Sequence, residues 1–289
     1  MGNISEKAQL LNWLLRQDLT GVRSCRSLLD WAVRGCFKMD AVEAAAYTEA
    51  TLFSFWNHVI KVTEGHAKRG ISPSFSVQSS ETRTFHCYPV PNEERGSLRR
   101  NAARAQERPA FLRMIDRMTD RQYEAMSCVL LEALGATKID LTRPGCDGGI
   151  DVFGLIERAY ASHLFGGAHH PIRFVVQAKM YKTAMPADRM KEFLQTLSEL
   201  WHGGQLKTDA IVPNWFRAAR GPIIGLVVSH NGFQAGADSR ARSHGILTAD
   251  SVDVAEVIAL KGTLYSKKGT DKVDACLKRI NQLLSTEAS

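Results

Sequence analysis

The chain has 289 residues, 44% of them hydrophobic and 23% charged, and its formal net charge is +7. This size and composition are typical of one large or two smaller globular domains with buried cores. No uninterrupted apolar run approaches the roughly 18 residues of a membrane-spanning helix, and no basic-then-apolar leader is visible. The six cysteines show no Cys-x-x-Cys spacing, which argues against structural zinc. We therefore expect a cytoplasmic protein with reduced thiols and no membrane contact.

The positive charge is compatible with a polyanionic partner such as nucleic acid. It is not concentrated in one part of the chain, because residues 1–110 hold 15 Lys and Arg against 11 Asp and Glu. An ordinary basic surface explains the charge as well as a binding function does. Only sequence motifs can decide between the two.

Residues 1–65 are predicted to form a mainly helical N-terminal region. Leucines recur at helical spacing between residues 10 and 15, and an apolar, aromatic-rich segment runs from residue 41 to 62. Asp40 is expected to cap that long helix, with Glu43 in the capping-box position. We expect this region to contact a protein partner or DNA. A helix-turn-helix within residues 10–33 that reads DNA, and a purely structural helix pair, are the alternatives.

Residues 66–110 are predicted to form an irregular, basic linker. Ser, Pro and Gly become more frequent, and residues 83–88 alternate like a short strand before Pro89 and Pro91 interrupt it. A basic stretch follows, made of Arg95, Arg99, Arg100, Arg104 and Arg108. These arginines either contact phosphates or belong to a solvated linker helix.

Residues 111–289 are predicted to alternate between helices and strands, as in an α/β domain. The first helix is capped by Thr119 or Asp120 and ends before Gly135. The helix that follows Pro186 extends to about residue 201. The predicted strands cover residues 138–141, 150–156, 172–178, 223–229 and 246–247, and further helices cover 235–243 and 271–284.

Two segments of this second part carry the chemistry. The first reads Asp147-Gly148-Gly149-Ile150-Asp151-Val152, and the second reads Val175-Val176-Gln177-Ala178-Lys179. An acid at the end of one apolar strand and a polar-x-Lys at the end of the next can meet, because neighbouring strands lie roughly 5 Å apart. A carboxylate that holds a divalent cation, beside a lysine, suits the negative charge that develops when a phosphodiester is cut.

Each of these residues also has a simpler interpretation. Asp is disfavoured inside a strand, and a buried carboxylate without a partner is costly, but Asp151 could instead face solvent at a strand end. Lys179 could be an ordinary edge lysine with its stem on the core. Gln177 lies on the same side of the strand as Lys179 and offers an oxygen without adding negative charge.

These residues resemble the catalytic core of the Mrr-like restriction endonucleases, a branch of the PD-(D/E)xK nuclease superfamily. Gln177 stands where most of the superfamily has an acid, which is typical of this branch. Tyr123-Glu124 at the start of an apolar helix, and the segment from Gly225 to Phe233, are similar to flanking parts of the family. The resemblance covers roughly residues 120–260. It implies an α/β, restriction-endonuclease-like core with a mixed central sheet flanked by helices.

The resemblance also implies a metal site. The expected ion is Mg²⁺, with Mn²⁺ able to substitute, and the expected ligands are Asp151, Gln177, Glu124 and the backbone carbonyl of Ala178. Glu132 is the alternative to Glu124, because it lies eight residues later and about 80° around the helix. Lys179 is expected to stabilise or help to generate the attacking hydroxide.

The glycine-rich turn before Asp151 needs a separate account. Gly148 and Gly149 are expected to shape this turn and to let a phosphate approach. Asp147 either contacts the metal ligands without binding the metal itself or is only a turn residue.

We therefore expect a divalent-metal-dependent endonuclease that hydrolyses phosphodiester bonds of DNA, in restriction or antiviral defence. One alternative is a nuclease subunit of a multi-protein defence complex, inactive until partners release it through residues 1–65. Another is a degenerate nuclease fold that only binds nucleic acid. Many nucleases of this type need two copies to cut both strands, so a homodimer is a further expectation.

The segment 154–173 is long for a hairpin and carries His169-His170 near its tip. These histidines suggest either a metal site or an exposed loop. The insertion itself could contact DNA or a partner protein.

Overall fold

The computed structural model describes residues 5–88, 105–144, 149–157, 171–202, 212–261 and 271–286. The chain divides into two compact units, Met1–Met114 and Ile115–Ser289. Within the described ranges, every helix is too short or too polar to cross a bilayer. The five cysteines in these ranges are free thiols.

The first unit combines helices with a small antiparallel sheet. Its elements in chain order are α1 (Glu6–Leu14), β1 (Gly21–Ser24), α2 (Cys25–Phe37), α3 (Ala41–Lys68), β2 (Phe75–Ser79) and β3 (Thr84–Cys87). The strands pair in the order β1-β3-β2. Only residues 38–40 separate α2 from α3, which is the spacing of a helix-turn-helix. Within residues 10–33, where a helix-turn-helix was one alternative, β1 lies between α1 and α2.

The predicted N-terminal cap of α3 is confirmed. The Asp40 side chain accepts hydrogen bonds from the backbone N–H groups of Val42 and Glu43, and the Glu43 side chain accepts one from the Asp40 N–H. This capping box satisfies donors that the first turn of a helix leaves unpaired. The long aromatic segment therefore begins as a helix where the sequence indicates.

The segment predicted to be an irregular linker contains part of the first unit's core. The predicted strand near residues 83–88 is present as β3, and β2, which was not predicted, pairs with it. Phe85 of β3 stacks on Trp56 of α3 with ring centroids 4.2 Å apart. Burial of these rings stabilises the packing of the sheet on α3, an interaction between residues too distant in sequence for a local pattern to reveal.

Arg108 does not have the expected role in phosphate contact. It begins α4 (Arg108–Ile115), is fully buried, and donates hydrogen bonds to the Ser72 carbonyl and the Ser74 hydroxyl. A buried guanidinium used in this way holds the chain together and is not accessible to DNA. The other four arginines of the basic stretch lie outside the described residues.

The second unit is built on a five-stranded mixed sheet of order β4-β5-β6-β7-β8. Pairs β4–β5 and β5–β6 are antiparallel, whereas β6–β7 and β7–β8 are parallel. The strands are β4 (Lys138–Leu141), β5 (Val152–Ile156), β6 (Ile172–Lys179), β7 (Ile223–Ser229) and β8 (Leu247–Asp250). The helices are α5 (Asp120–Ala133), α6 (Ala187–Trp201), α7 (Asn214–Ala218), α8 (Ala235–Ser243), α9 (Ser251–Lys261) and α10 (Lys272–Thr286).

Helices cover both faces of this sheet. Phe153, Val175 and Val227 pack against α6 and α8 in one buried cluster. Gly154 points the other way, where a side chain would meet Leu131 of α5, since successive strand residues face opposite sides. The expected fold class, a mixed sheet flanked by helices, is confirmed.

Helix α9 was not predicted from the sequence. It follows β8 directly, and the Asp250 carboxylate accepts hydrogen bonds from the N–H groups of Val252 and Asp253. Several of its side chains are fully buried, namely Val254, Ala255, Ile258 and Ala259. A helix buried over so much of its surface lacks the one-sided pattern by which amphipathic helices are recognised.

Gly225 in β7 permits the close approach of α6. An added Cβ would lie 2.6 Å from Leu197 Cδ2 and 3.0 Å from Phe193 Cε1. We expect Gly225→Ala to lower the free energy of unfolding by about 1–3 kcal/mol, because the core is overpacked. Chemical denaturation measures this. The matched control is Gly236→Ala in α8, whose Cβ would make an ordinary contact at 3.4 Å. That variant should be neutral or slightly more stable, and an equal loss in both variants would contradict the packing argument.

Candidate active site

The edge of the sheet where β5 begins and β6 ends brings the two motifs together. The Asp151 N–H donates to the Val176 carbonyl at 2.8 Å. This bond extends the β5–β6 pairing by one residue and places Asp151 beside the end of β6. The Thr142 hydroxyl donates to the carbonyl of Ile150 at 2.8 Å and holds the same segment from the β4 side. Asp151 is therefore fixed by backbone contacts on two sides.

The Asp151 carboxylate is buried and faces the end of β6. Its Oδ2 accepts a hydrogen bond from the Ala178 N–H at 2.7 Å and lies 3.4 Å from Lys179 Nζ. Burial raises the pKa of Asp151 to about 6, although Lys179 and the Ala178 N–H act in the opposite direction and Glu124 adds to the rise. The charged form is thus only partly compensated by its described neighbours, which is typical of a carboxylate that serves a function.

Gln177 extends toward the turn before Asp151. Its Nε2 donates to the Gly149 carbonyl at 2.9 Å, and its buried Oε1 accepts no hydrogen bond within the described residues. Gly149 has a φ of +65°, and a Cβ there would lie 3.0 Å from Gln177 Nε2. Glycine is therefore required at this position both for the backbone conformation and for the contact.

Glu124 approaches the same site from α5. It is close enough to Asp151 to raise the pKa of that carboxyl group, and its Oε2 accepts a hydrogen bond from Arg121 Nη1 at 2.6 Å. Glu132, the alternative, instead forms hydrogen bonds with both Nε and Nη2 of Arg279 in α10. The structure therefore favours Glu124 over Glu132 as a neighbour of Asp151. Its role as a ligand stays a prediction.

Several predicted site groups remain without a structural test. Asp147, Gly148 and the His169-His170 pair lie outside the described residues. For Ala178, the N–H contacts Asp151, and the proposed ligand role of its carbonyl stays a prediction.

A polar network next to Lys179 was not predicted. The His230 N–H donates to the Lys179 carbonyl at 3.0 Å, and His230 Nδ1 lies 2.9 Å from the Ser251 hydroxyl. On its other side His230 Nε2 lies 3.5 Å from Asp116 Oδ1, and the Tyr123 hydroxyl lies 3.4 Å from that of Ser251. The network joins the end of β6 to α5 and α9 and so restrains the Lys179 main chain.

The sequence contains no local signal for this network. Ser229-His230 is visible as a pair, but the partners of His230 are more than 100 residues upstream and about 20 downstream in the sequence. Ser251 is buried and also contacts Tyr123, so this Asp-His-Ser arrangement does not resemble an accessible hydrolase triad. Its physical role is to position the strand end.

The donor set fits a hard divalent cation. Among the described residues no group of three or more His, Cys, Asp or Glu side chains is arranged to share a metal. The site offers instead two carboxylates, Asp151 and Glu124, and the Gln177 amide oxygen that lacks a described hydrogen bond. Oxygen-only donors of this kind suit Mg²⁺ or Mn²⁺ better than softer metals.

Comparison with known proteins agrees with the motif. Residues 115–209 match the Mrr_cat family model, described as a restriction endonuclease. The match over this part of the chain confirms the resemblance to restriction-endonuclease domains of the Mrr type. No curated protein matches the sequence of the chain.

Three solved structures show low likeness to the chain. The MspJI restriction endonuclease in complex with a 27-mer oligonucleotide is 14% identical over 70% of this chain and 44% of that chain, with a TM-score of 0.40. The DNA modification-dependent restriction endonuclease AspBHI is 18% identical over 68% and 44%, with a TM-score of 0.40. The restriction endonuclease FokI bound to DNA is 10% identical over 91% and 47%, with a TM-score of 0.35. The chain thus spans less than half the length of each.

The raised pKa of Asp151 predicts a stability change with a definite sign. Because the folded-state pKa is about 6 and the ordinary value is 3.8, the contribution of Asp151 to stability is most favourable below pH 3.8, falls as the pH rises to 6 and changes little above that. We expect Asp151→Asn to remove this loss and to raise the free energy of unfolding at pH 8 by about 2–3 kcal/mol. Near pH 4 the gain should largely disappear.

Chemical denaturation in EDTA at both pH values tests this. The control is Glu157→Gln, because Glu157 is exposed just past the other end of β5. A gain that is the same at pH 4 and pH 8, or the same in the control, would show that the carboxylate is not held in an unfavourable environment.

Proposed function

We propose that the chain is a divalent-metal-dependent endonuclease that hydrolyses phosphodiester bonds of DNA. The observation that carries the proposal is the buried Asp151 carboxylate against the Ala178 N–H and Lys179, inside a restriction-endonuclease domain. A buried acid with a raised pKa, beside a lysine and an amide oxygen that lacks a described hydrogen bond, lowers the stability of the fold and is typical of a functional site. It is useful if a cation and a phosphate complete it.

Asp151, Glu124, Gln177 Oε1 and the Ala178 carbonyl would hold the cation, which we take to be Mg²⁺ with Mn²⁺ as a substitute. When bound, such a cation stabilises the charge that builds on the phosphate and lowers the pKa of an attacking water. Gln177 contributes an oxygen without a charge, so Asp151 and Glu124 carry all the negative charge of this donor set.

The chain's own charges prepare the site for phosphate. Lys179 and Arg121 balance Asp151 and Glu124 with contacts of 3.4 and 2.6 Å. An added divalent cation would therefore make the site net positive and attractive to a phosphodiester. Arg121 keeps Glu124 oriented, and its second contact, to the Thr142 carbonyl, ties it to the strand that precedes the catalytic turn.

Lys179 has the position of a group that acts on the nucleophile. Its side chain is 29% exposed, so the ammonium group reaches the site edge while its stem stays against the protein. From there the ammonium group can donate to a phosphate oxygen or stabilise the hydroxide that attacks in line. The carbonyl of the same residue is held by His230, which limits its movement.

A role in restriction or antiviral defence is the setting we propose for this activity. A second candidate is an effector subunit that stays inactive until protein partners release it. One observation favours it, namely the apolar exposed face of α3, where Val42 is 79% and Phe53 is 63% exposed. Glu49 lies on the same face between them and pairs with Arg26, and an exposed apolar surface of this kind suits a protein better than DNA. Efficient cleavage of plain DNA by the isolated chain would exclude this candidate.

Loss of either central residue should abolish cleavage. We expect Asp151→Ala and Lys179→Ala to reduce the nicking of supercoiled plasmid by about 100-fold or more, because each removes charge stabilisation at the reacting phosphate. The assay uses Mg²⁺, Mn²⁺ or EDTA, with methylated and unmethylated plasmid side by side. Circular dichroism and thermal unfolding check that both variants fold, and cutting at the wild-type rate by either folded variant would refute the assignment.

The two glutamates of α5 provide a matched pair. Glu124→Gln should require a much higher Mg²⁺ concentration for cleavage, because one of two proposed anionic ligands is lost. Glu132→Gln should cleave with the wild-type metal dependence but unfold more easily, because the ion pair between Glu132 and Arg279 is lost. A Mg²⁺ titration of the cleavage rate compares them. The reverse result would reassign the ligand from Glu124 to Glu132.

A further inference from the structure

An open groove lies between α6 and α8 on the outer side of the helical layer. Its volume is about 730 Å³. Below it, Leu194 and Leu197 of α6 and Ala237 and Ala241 of α8 pack onto the sheet. The groove is therefore framed by two well-anchored helices and keeps its shape without a ligand.

The charge on the groove has one sign. Lys191 of α6 and Arg240 of α8 line it, no acidic residue does, and neither cation forms an ion pair among the described residues. The other arginines on these helices are neutralised, since Arg189 pairs with Glu192 and Arg242 with Asp238. The unpaired positive charge of the two helices is thus gathered in the groove.

The remaining lining suits a sugar-phosphate chain. Ser198 and Ser239 bring hydroxyl groups, and Gly236 leaves the backbone of α8 accessible. Hydroxyls, cations and backbone groups are the usual donors to phosphate oxygens. Trp201 at the far end is 43% exposed, and its indole N–H is held by the Ile223 carbonyl at 3.0 Å. Its ring is therefore fixed with a face available to a sugar or base.

Both helices that frame the groove follow strands whose ends lie at the candidate active site. The chain leaves β6 at Lys179 and begins α6 at Ala187, and it leaves β7 at Ser229 and begins α8 at Ala235. The segments that precede α6 and α8 are joined by a hydrogen bond from the Gln234 N–H to the Met185 carbonyl at 3.0 Å. From Lys191 to Trp201 the groove extends roughly 15 Å away from the strand ends, enough for several phosphates.

We propose that this α6–α8 groove binds the sugar-phosphate backbone of a DNA strand adjoining the phosphate that is cut. The inference rests on the proposed endonuclease function, and it assigns to Lys191 and Arg240 a binding role that is separate from the chemistry at Asp151 and Lys179. The groove adds affinity without reading sequence, because phosphate contacts carry no base information.

The salt dependence of DNA binding tests the assignment. Binding of a fluorescent duplex is measured in EDTA at several salt concentrations for the full chain, so that cleavage does not interfere. Each lost phosphate contact lowers the slope of log K against log salt by about 0.9. We expect the double variant Lys191→Ala/Arg240→Ala to lose a slope of about 2 and to bind roughly tenfold more weakly at physiological salt.

The control removes the same formal charge from the same helices. Arg189→Ala/Arg242→Ala takes away two exposed arginines that already have carboxylate partners and do not line the groove. It should keep nearly the wild-type slope. An equal loss in both double variants would mean that overall charge, not the groove, sets the affinity, and would overturn the proposal. Thermal unfolding confirms that both variants fold.

The remaining outcomes separate the two proposals. If the wild type cleaves but the groove variant binds DNA unchanged, the groove assignment fails and the endonuclease stands. If binding depends on the groove but no divalent cation supports cleavage, the endonuclease fails and the groove stands. Absence of any duplex binding overturns the groove. If the wild type sediments as a dimer, the groove variant sediments as a monomer and DNA binding is unchanged, the occupant of the groove is a second copy of the chain and the proposal is overturned.

Discussion

The burial of one carboxylate is the constraint on which the candidate site depends. Asp151 sits at the start of β5 with the Ala178 N–H and Lys179 as its compensating partners, and its pKa is nevertheless raised to about 6 by burial. Removing a charge from water is costly unless fixed donors replace the water. The antiparallel register of β5 and β6 supplies those donors, and slipping it by one residue would turn these side chains to the opposite face of the sheet.

The charges of the residues around Asp151 also compensate one another. Two acids and two basic residues balance each other, and the fifth member, Gln177, is neutral with an oxygen that lacks a described hydrogen bond. We propose that burial of these groups is unfavourable without a cation and that a bound cation would offset the cost. Local stability would then be given up for function, which is common where a site is organised before its ligand arrives. The polar contacts of His230 then keep the Lys179 main chain in place.

The two units carry surfaces of different chemistry. The exposed face of α3 in the first unit carries the apolar side chains of Val42 and Phe53, whereas the α6–α8 groove in the second unit is lined by cations and hydroxyl groups. Exposed apolar area suits a protein surface, and focused positive charge suits phosphates. We propose that the first unit serves partner contact and the second unit DNA. The net charge of +7 is consistent with that division but did not predict it.

Local features of the fold could be predicted from the amino-acid sequence. Short-range patterns predicted the cap of α3, a cap of α5 at Thr119 or Asp120, and the apolar strands β5, β6 and β7. The two motifs also predicted that Asp151 and Lys179 meet at adjacent strand ends. Tertiary structure decided what depends on distant residues. Glu124 is favoured over Glu132 as the neighbour of Asp151 because it raises the pKa of Asp151, whereas Glu132 pairs with Arg279 of α10. Arg108 is buried and donates hydrogen bonds to Ser72 and Ser74. Helix α9 was missed because its burial removes the one-sided apolar pattern. Local patterns report backbone preference, whereas the partners of a polar side chain are set by packing across the whole domain.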